Sequence, residues 1–363
     1  MIRRSPAHLA ALPLCLAACG APRHGAAGPA PAPQPVTPAP VEEIAEAAES
    51  PATPEPSVEP VRGVTLPAPL PTDDARRREL AALLAAERPG WSLHELPCWF
   101  LATPVADPML VEGVRERLEG ARSQLHRELP PRRAEAHREK PLVLLYPDRR
   151  SYAAAGGPAR STGFWDPGRR ELVVHDAPDE RGEVTWPALQ HMAVHAHLDT
   201  ELGLAASPPW LLYGVGARYE GLRLRSLRSG GSALLPRTPE QEGALLRAAL
   251  GDGPIPDLAP LLAADQAGFT RTGEDGVTPY QRVRVASALV AFLQDPGPCG
   301  PPAVEERRRD LLTGYLAALQ GGATQAAALE AALGPLTLTE MEAAWRQWLA
   351  GRLGLQGVGT PPG

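Results

Sequence analysis

Apolar positions along this chain fall into two kinds of pattern, short continuous runs before the middle and helical spacing after it. From Asp107 to Leu129 the residues Leu110, Val114, Leu118, Ala121 and Leu125 recur at intervals of three and four, which predicts a long amphipathic helix. Upstream, Thr72 or Asp73 can cap a helix running through Leu80, Leu83 and Leu84 to about Arg88. His94 to Thr103, with Trp99, Phe100 and Leu101 at its centre, reads as a strand. Lys140 to Tyr146 is a short apolar run before Pro147-Asp148 and reads as a buried strand. A short helix over Arg149–Ala155 is closed by Gly156-Gly157. Thr162–Asp166 and Glu171–His175 then make a hairpin that turns at Asp166-Pro167-Gly168. Trp186-Pro187 opens a helix carrying Leu189, His191, Met192, His195 and Leu198. Ser207-Pro208-Pro209 starts another, from Trp210 to about Leu224. From Thr238 onward the pattern is almost wholly helical, with segments centred on Leu245, Leu261, Leu289, Leu316, Ala328 and Trp345 and no fixed-period repeat. The expectation is an α+β fold: a small mixed sheet with helices over residues 73–235, an all-helical part over 236–355, and a disordered tail at 356–363.

The N-terminus changes the picture of where this domain sits. Met1-Ile2-Arg3-Arg4 is a short basic stretch, and the mostly apolar run from His8 to Ala18 is too short to span a bilayer. It ends in Leu16-Ala17-Ala18-Cys19-Gly20, which resembles the lipobox of bacterial lipoproteins. That resemblance implies a signal peptide at 1–18, lipidation of Cys19, and a lipid-anchored protein of the bacterial cell envelope, on the outer membrane or the periplasmic face of a membrane. Acyl chains contribute roughly 0.8 kcal/mol per buried CH₂, so several on one cysteine anchor durably. Residues 19–72 are rich in Ala and Pro, with too few large apolar residues to bury, and read as a disordered, semi-extended tether.

Composition excludes some classes. The chain has 363 residues and a formal charge of −6. No basic stripe stands out, so nucleic acid is not an expected partner. Of four cysteines, Cys15 leaves with the signal and Cys19 carries lipid. Cys98 and Cys299 remain, either as a disulfide closing a long loop or as two separate buried thiols. No zinc-type Cys-x-x-Cys spacing, nucleophile elbow or phosphate-loop context is present. Asp176, Asp179 and Glu180 read as surface charge, and Trp99, Trp165, Trp186, Trp210, Trp345 and Trp348 as packing.

The run Gln190-His191-Met192-Ala193-Val194-His195 is the most informative chemistry. Histidines at i and i+4 share a helix face, with Cβ atoms about 5–6 Å apart, and can share one metal ion. In His-Glu-x-x-His helices the second position is a glutamate that takes a proton from metal-bound water. Here it is Met192, and a thioether is no base. Downstream lies Pro208-Pro209-Trp210-Leu211-Leu212-Tyr213-Gly214-Val215-Gly216-Ala217-Arg218-Tyr219-Glu220. Together the two stretches resemble the peptidase-MA-like (gluzincin) metalloproteases, over residues 93–353. The resemblance implies a zincin-like α/β part and a zinc ion on the two histidines and on a glutamate preceding the helix glycine. That ligand position is Tyr213 in this chain, and Trp210, Gly214, Ala217 and Tyr219 keep the packing half of the pattern.

Substitutes for the missing groups are poor. A phenol with an ordinary pKa near 10 must ionise to bind metal well. Glu220 lies seven residues past Tyr213, roughly 10 Å further along a helix, and is assigned to packing with Trp210, Gly214 and Tyr219. His197 points away from the shared face, and Asp199 and Glu201 near the helix end read as solvated. A missing general base costs roughly 10²–10⁴ in rate. The leading expectation is therefore a tethered, gluzincin-like domain without catalysis, not an enzyme, with no cofactor needed, that binds a peptide or an envelope protein. The alternatives are an unconventional zinc hydrolase using His191, His195 and Tyr213, and a purely structural envelope protein.

Overall fold

The computed structural model describes residues 74–131, 139–158, 161–226, 232–251, 255–273, 276–295 and 297–354. The signal segment, Cys19 and the tether, the capping pair Thr72-Asp73 and the tail lie outside the described residues. Helix α1 (Asp74–Glu87) leads into strands β1 (Ser92–Glu95) and β2 (Phe100–Thr103). Helix α2 (Pro108–Glu128), β3 (Leu142–Tyr146), α3 (Arg149–Ala154), β4 (Gly163–Asp166) and β5 (Glu171–His175) follow. Next come helices α4 (Thr185–Thr200) and α5 (Pro209–Tyr219) and the hairpin of β6 (Arg223–Ser226) and β7 (Ser232–Leu235). The chain then runs through α6 (Pro239–Leu250), α7 (Leu258–Ala263), α8 (Gln266–Thr270), α9 (Pro279–Gln294), α10 (Pro302–Gln320), α11 (Gln325–Leu333) and α12 (Leu338–Leu353). The fold is α+β, with a mixed sheet and a helical C-terminal part.

The main sheet has the order β1-β2-β3-β5-β4. Strands β2, β3 and β5 are parallel, and β1 and β4 flank them antiparallel. Every residue of β3 and β5 is buried, because helices cover both faces of this parallel centre. One face packs on α1 and α3 through Leu80, Leu84, Phe100, Leu144 and Tyr152. The other presents Leu101, Val143, Leu145, Leu172 and Val174 to α2 and α4. Helix α2 buries the stripe read from its spacing, Leu110, Val114, Leu118, Ala121 and Leu125. Asp107 caps it by accepting the Met109 N–H at 2.9 Å.

Three expectations are corrected. The run His94–Thr103 is two strands rather than one. Pro97 fixes its own φ and donates no N–H, so the chain reverses there, closed by Leu96 N–H to Trp99 O at 2.8 Å. The helix from Trp210 stops at Tyr219 instead of continuing to Leu224. Gly221 and Leu222 close short turns onto Arg218 O and Tyr219 O, and the chain enters β6. A Cβ at Gly221 would lie 2.0 Å from the Arg237 guanidinium carbon, so a larger residue there would push that side chain aside. Finally, Cys98 and Cys299 are both free thiols rather than a disulfide. The Cys98 sulfur receives Arg122 Nη1 at 3.0 Å, whereas the Cys299 thiol donates to Gly297 O at 3.3 Å.

One apolar core crosses residue 236 without a break, from Leu110 of α2 to Leu353 of α12. Helices α5 and α9 meet most closely at Gly214, where an added Cβ would sit 2.8 Å from the Ala286 carbonyl oxygen. Backbone on backbone leaves little to give way. Gly214→Ala is therefore expected to destabilise the fold by about 1–3 kcal/mol, read as a lowered urea midpoint. A midpoint equal to that of the parent would show that the helices can move apart freely.

Candidate functional site

The site is built on α4 and α5, and its first support is a buried carboxylate at the entrance to α4. Asp176, directly after β5, is 2% exposed. It accepts from the Arg181 guanidinium at 2.9–3.2 Å and from Thr185 Oγ1 at 3.0 Å. Thr185 Oγ1 in turn accepts the Ala177 N–H at 2.8 Å. Asp176 is thus not surface charge. It pins the first turn of α4, where Val184 offers no side-chain cap. Asp179 and Glu180 are exposed, as expected.

Helix α4 carries His191 and His195 one turn apart, with ring centroids 4.9 Å from each other. Tyr213 of α5 completes a triangle, 6.1 Å from the His191 ring and 5.8 Å from that of His195. The structure thereby brings together the three side chains that the sequence had nominated. Gly216 makes the approach possible, because a Cβ there would lie 2.6 Å from His191 Nε2. The Tyr213 ring stacks on Phe269 at 5.4 Å, and its hydroxyl accepts from Gln266 Nε2 at 2.6 Å. Met192 is 2% exposed and packs into the core beside Gly163 of β4.

Glu220 caps the C-terminus of α5 and places Oε1 2.7 Å from His191 Nδ1. It is no candidate metal ligand. It stands behind the imidazole and meets its Nδ1 side. Burial alone would raise the Glu220 pKa, but the His191 hydrogen bond and charge and the nearby Arg284 and Arg237 outweigh it and hold the carboxyl at about 2. Arg284 Nη2 sits 3.3 Å from the other carboxylate oxygen. Burial, then the neighbouring His191, push the His195 pKa well below its ordinary value, so this ring is neutral at physiological pH. Nε2 of His191 and Nε2 of His195 are both buried without a hydrogen-bond partner.

The remaining residues of the motif region do other work. His197 faces α2, with Nε2 donating to Leu129 O at 3.0 Å. Asp199 accepts from Trp165 Nε1 at 2.8 Å. Glu201, expected to be solvated, is largely buried and accepts from Arg122 at 3.1–3.2 Å. Trp210 donates to the Tyr315 hydroxyl at 3.3 Å, and Tyr219 to Glu128 at 3.2 Å, so both are packing residues. Gln266 and Arg284 were not singled out by sequence reasoning, and no local pattern marks them.

Two of these groups set an acid sensitivity. Burial lowers the His197 pKa from 6.5 to about 4. For Glu201 burial acts upward, but the His126 ring 3.8 Å away and the Arg122 guanidinium outweigh it and bring it from 4.5 to about 2. Both folded values lie below the unfolded ones, so the unfolded chain binds more protons and stability falls as pH falls. The His197 contribution goes first, between about pH 6.5 and 4. The Glu201 contribution follows, between about pH 4.5 and 2. Each is on the order of 3 kcal/mol. Urea unfolding at pH 7 and pH 4 should therefore differ by roughly that amount, and His197→Gln should remove most of the first step.

No protein-family model and no curated protein matches this chain. Among the described residues, no group of three or more His, Cys, Asp or Glu side chains could hold a metal ion. The nearest approach to such a group is the His191 and His195 rings beside the Tyr213 phenol. Among the described residues, no helix is long and apolar enough to cross a membrane.

Proposed function

We propose that this is a lipid-anchored envelope protein whose domain keeps a gluzincin-like frame without its hydrolytic chemistry and holds an extended peptide or protein segment. One observation carries the reading. The position that must supply the general base is Met192, a buried thioether packed against β4, so nothing at that position can take a proton from a nucleophilic water. The binding role is supported by the sheet edge. Strand β4 is the last strand in the order, with Phe164, Trp165 and Asp166 half-buried, and α4 packs against it. A strand at the end of a sheet can offer main-chain donors and acceptors to an incoming strand. The expected result is retention of members of a random peptide library by the immobilised protein, with no cleaved product by mass spectrometry. Cleavage that a chelator abolishes would overturn the inactive reading, and capture of nothing would leave only a structural role.

A second reading is favoured by a specific feature: the two partnerless Nε2 atoms and the Glu220 carboxylate behind His191. Those residues suit a zinc ion, with His191 and His195 as nitrogen ligands and Tyr213 as an oxygen ligand after loss of its proton. A bound zinc would supply a Lewis acid. Glu220 would orient His191, and the Gln266 hydrogen bond would hold the phenol in place. Stoichiometric zinc that disappears in His191→Ala and in His195→Ala would support this reading over the first.

A further inference from the structure

The hairpin after α5 carries positive charge that the fold leaves unanswered. Elsewhere in this region the arginines are matched. Arg284 and Arg237 act on the buried Glu220, and Arg218 stands 3.9 Å from Glu242. Strand β6 differs. Arg223 and Arg225 are both exposed, and among the described residues neither makes a hydrogen bond or an ion pair. Alternation along the strand puts the two on one face, about 7 Å apart. In the antiparallel register they stand opposite Leu235 and Ala233 of β7. Leu224 and Leu234 take the other face, and β7 packs on α2. Leu234 lies so close to Gly120 of α2 that an added Cβ there would come within 2.9 Å of it. That inner contact fixes the ribbon, because a one-residue slip would turn its leucines outward. The arginine face is therefore held toward solvent.

Two guanidinium groups side by side, with no carboxylate on either, suit a surface that bears phosphates, since each fork can take one phosphate group through parallel N–H donors. Leu235, half-buried beside Arg223, adds an apolar group on the same face. The domain begins at Asp74, and the stretch back to Cys19, fully extended, spans at most about 190 Å. On the lipid-anchored reading a bilayer is thus always within reach, and a contact too weak to hold a free protein suffices. The chain as a whole has a formal charge of −6, so an anionic bilayer repels most of its surface and selects the face that is positive.

We infer that the outward face of the β6–β7 ribbon, through Arg223 and Arg225, docks on the anionic lipid headgroups of the membrane that holds the chain, and so sets which side of the domain faces the bilayer. The inference rests on the lipid-anchored reading for its choice of surface. It is independent of what the histidine site holds.

The test uses the full chain with Cys19→Ser, so that no acyl group contributes, and vesicles of phosphatidylcholine alone or with one-third phosphatidylglycerol. Co-sedimentation at low salt is expected to be roughly tenfold stronger with the anionic vesicles, and to weaken as salt is added. Each arginine should account for about a factor of five. Arg223→Gln combined with Arg225→Gln should therefore cost roughly 10- to 30-fold, whereas lysine at both positions should keep most of the binding. Both side chains are exposed, so the urea midpoint of these variants should match that of the parent. The unmutated arginines give a second readout. Anionic vesicles should protect Arg223 and Arg225, mapped by mass spectrometry, from an arginine-selective dicarbonyl. Equal sedimentation with both vesicle types, or undiminished sedimentation of the double glutamine variant, would overturn the assignment. Protection by a polyglutamate peptide but not by anionic vesicles would overturn it too, in favour of an acidic protein partner. Lipid on Cys19 is read separately, from the mass of the mature unaltered chain, so loss of the anchored reading and loss of the arginine contact are told apart.

Discussion

Replacing Met192 and Tyr213 together by glutamate is expected to create a tight zinc site, with a gain in affinity on the order of 100-fold or more over the unaltered chain. The parent offers two imidazole nitrogens and a phenol that must first lose a proton held among Phe269 and Gln266. A carboxylate at 213 brings a charged third ligand with no such requirement. On the gluzincin-like reading proposed above, a carboxylate at 192 takes the position of the water-activating group. The metal-free double variant should be less stable than the parent. It loses the Tyr213–Phe269 stacking and buries a carboxylate against Gly163, together about 2–5 kcal/mol. Zinc should restore much of this, since a ligand at a thousand times its Kd contributes about 4 kcal/mol. The measurement is the midpoint of thermal unfolding with and without zinc, beside a direct titration. A double variant that folds and binds no zinc would mean that positions 192 and 213 do not have the roles assigned to them.

Glu220→Ala should have the next largest effect, here on stability. The carboxylate accepts the His191 Nδ1 proton and faces Arg284, with Arg237 nearby. Its removal leaves a buried imidazole donor and two half-buried cations without their common counter-charge. Breaking buried ionic groups in this way costs about 3–5 kcal/mol. Glu220→Gln keeps an acceptor for His191 and should cost less. Any zinc affinity should fall about 10- to 100-fold in the alanine variant, because the ligand imidazole loses the group that orients it. Urea unfolding of the three proteins gives the ranking, and an alanine variant within about 0.5 kcal/mol of the parent would demote Glu220 to an ordinary surface charge.

Much of the fold could be read from local pattern. The α2 stripe, the buried run of β3 and the turn at Asp166-Pro167-Gly168 all report periods and turn chemistry that tertiary context did not override. The errors have local causes as well. Leu96 to Ala102 is apolar enough to look continuous, and the single proline that breaks it carries less weight in a pattern than the six residues around it. The strands β6 and β7 are short, and β6 is rich in arginine. Asp176 sits in a stretch of polar residues, and only the return of Arg181 and Thr185 onto it explains its burial.

The site was legible to the same depth. His191 and His195 stood out because residue type and spacing mark them, and Tyr213 because the gluzincin resemblance puts it at the third-ligand position. Gln266 meets Tyr213 across 53 residues and Arg284 meets Glu220 across 64, so neither contact has a local signature. Glu220 was noticed but judged by its distance along an ideal helix. That helix ends one residue earlier, and the carboxylate turns back to the rear of His191.

The unbroken seam of apolar side chains across residue 236 ties the histidine helix to everything that follows it. Helix α9 roofs α5, so a shortened gene product ending after β7 would leave Trp210, Gly214 and their neighbours open to water, sticky and without a partner. The two regions therefore stand or fall as one: the chain could not shed its trailing helices without exposing the core of the histidine helix.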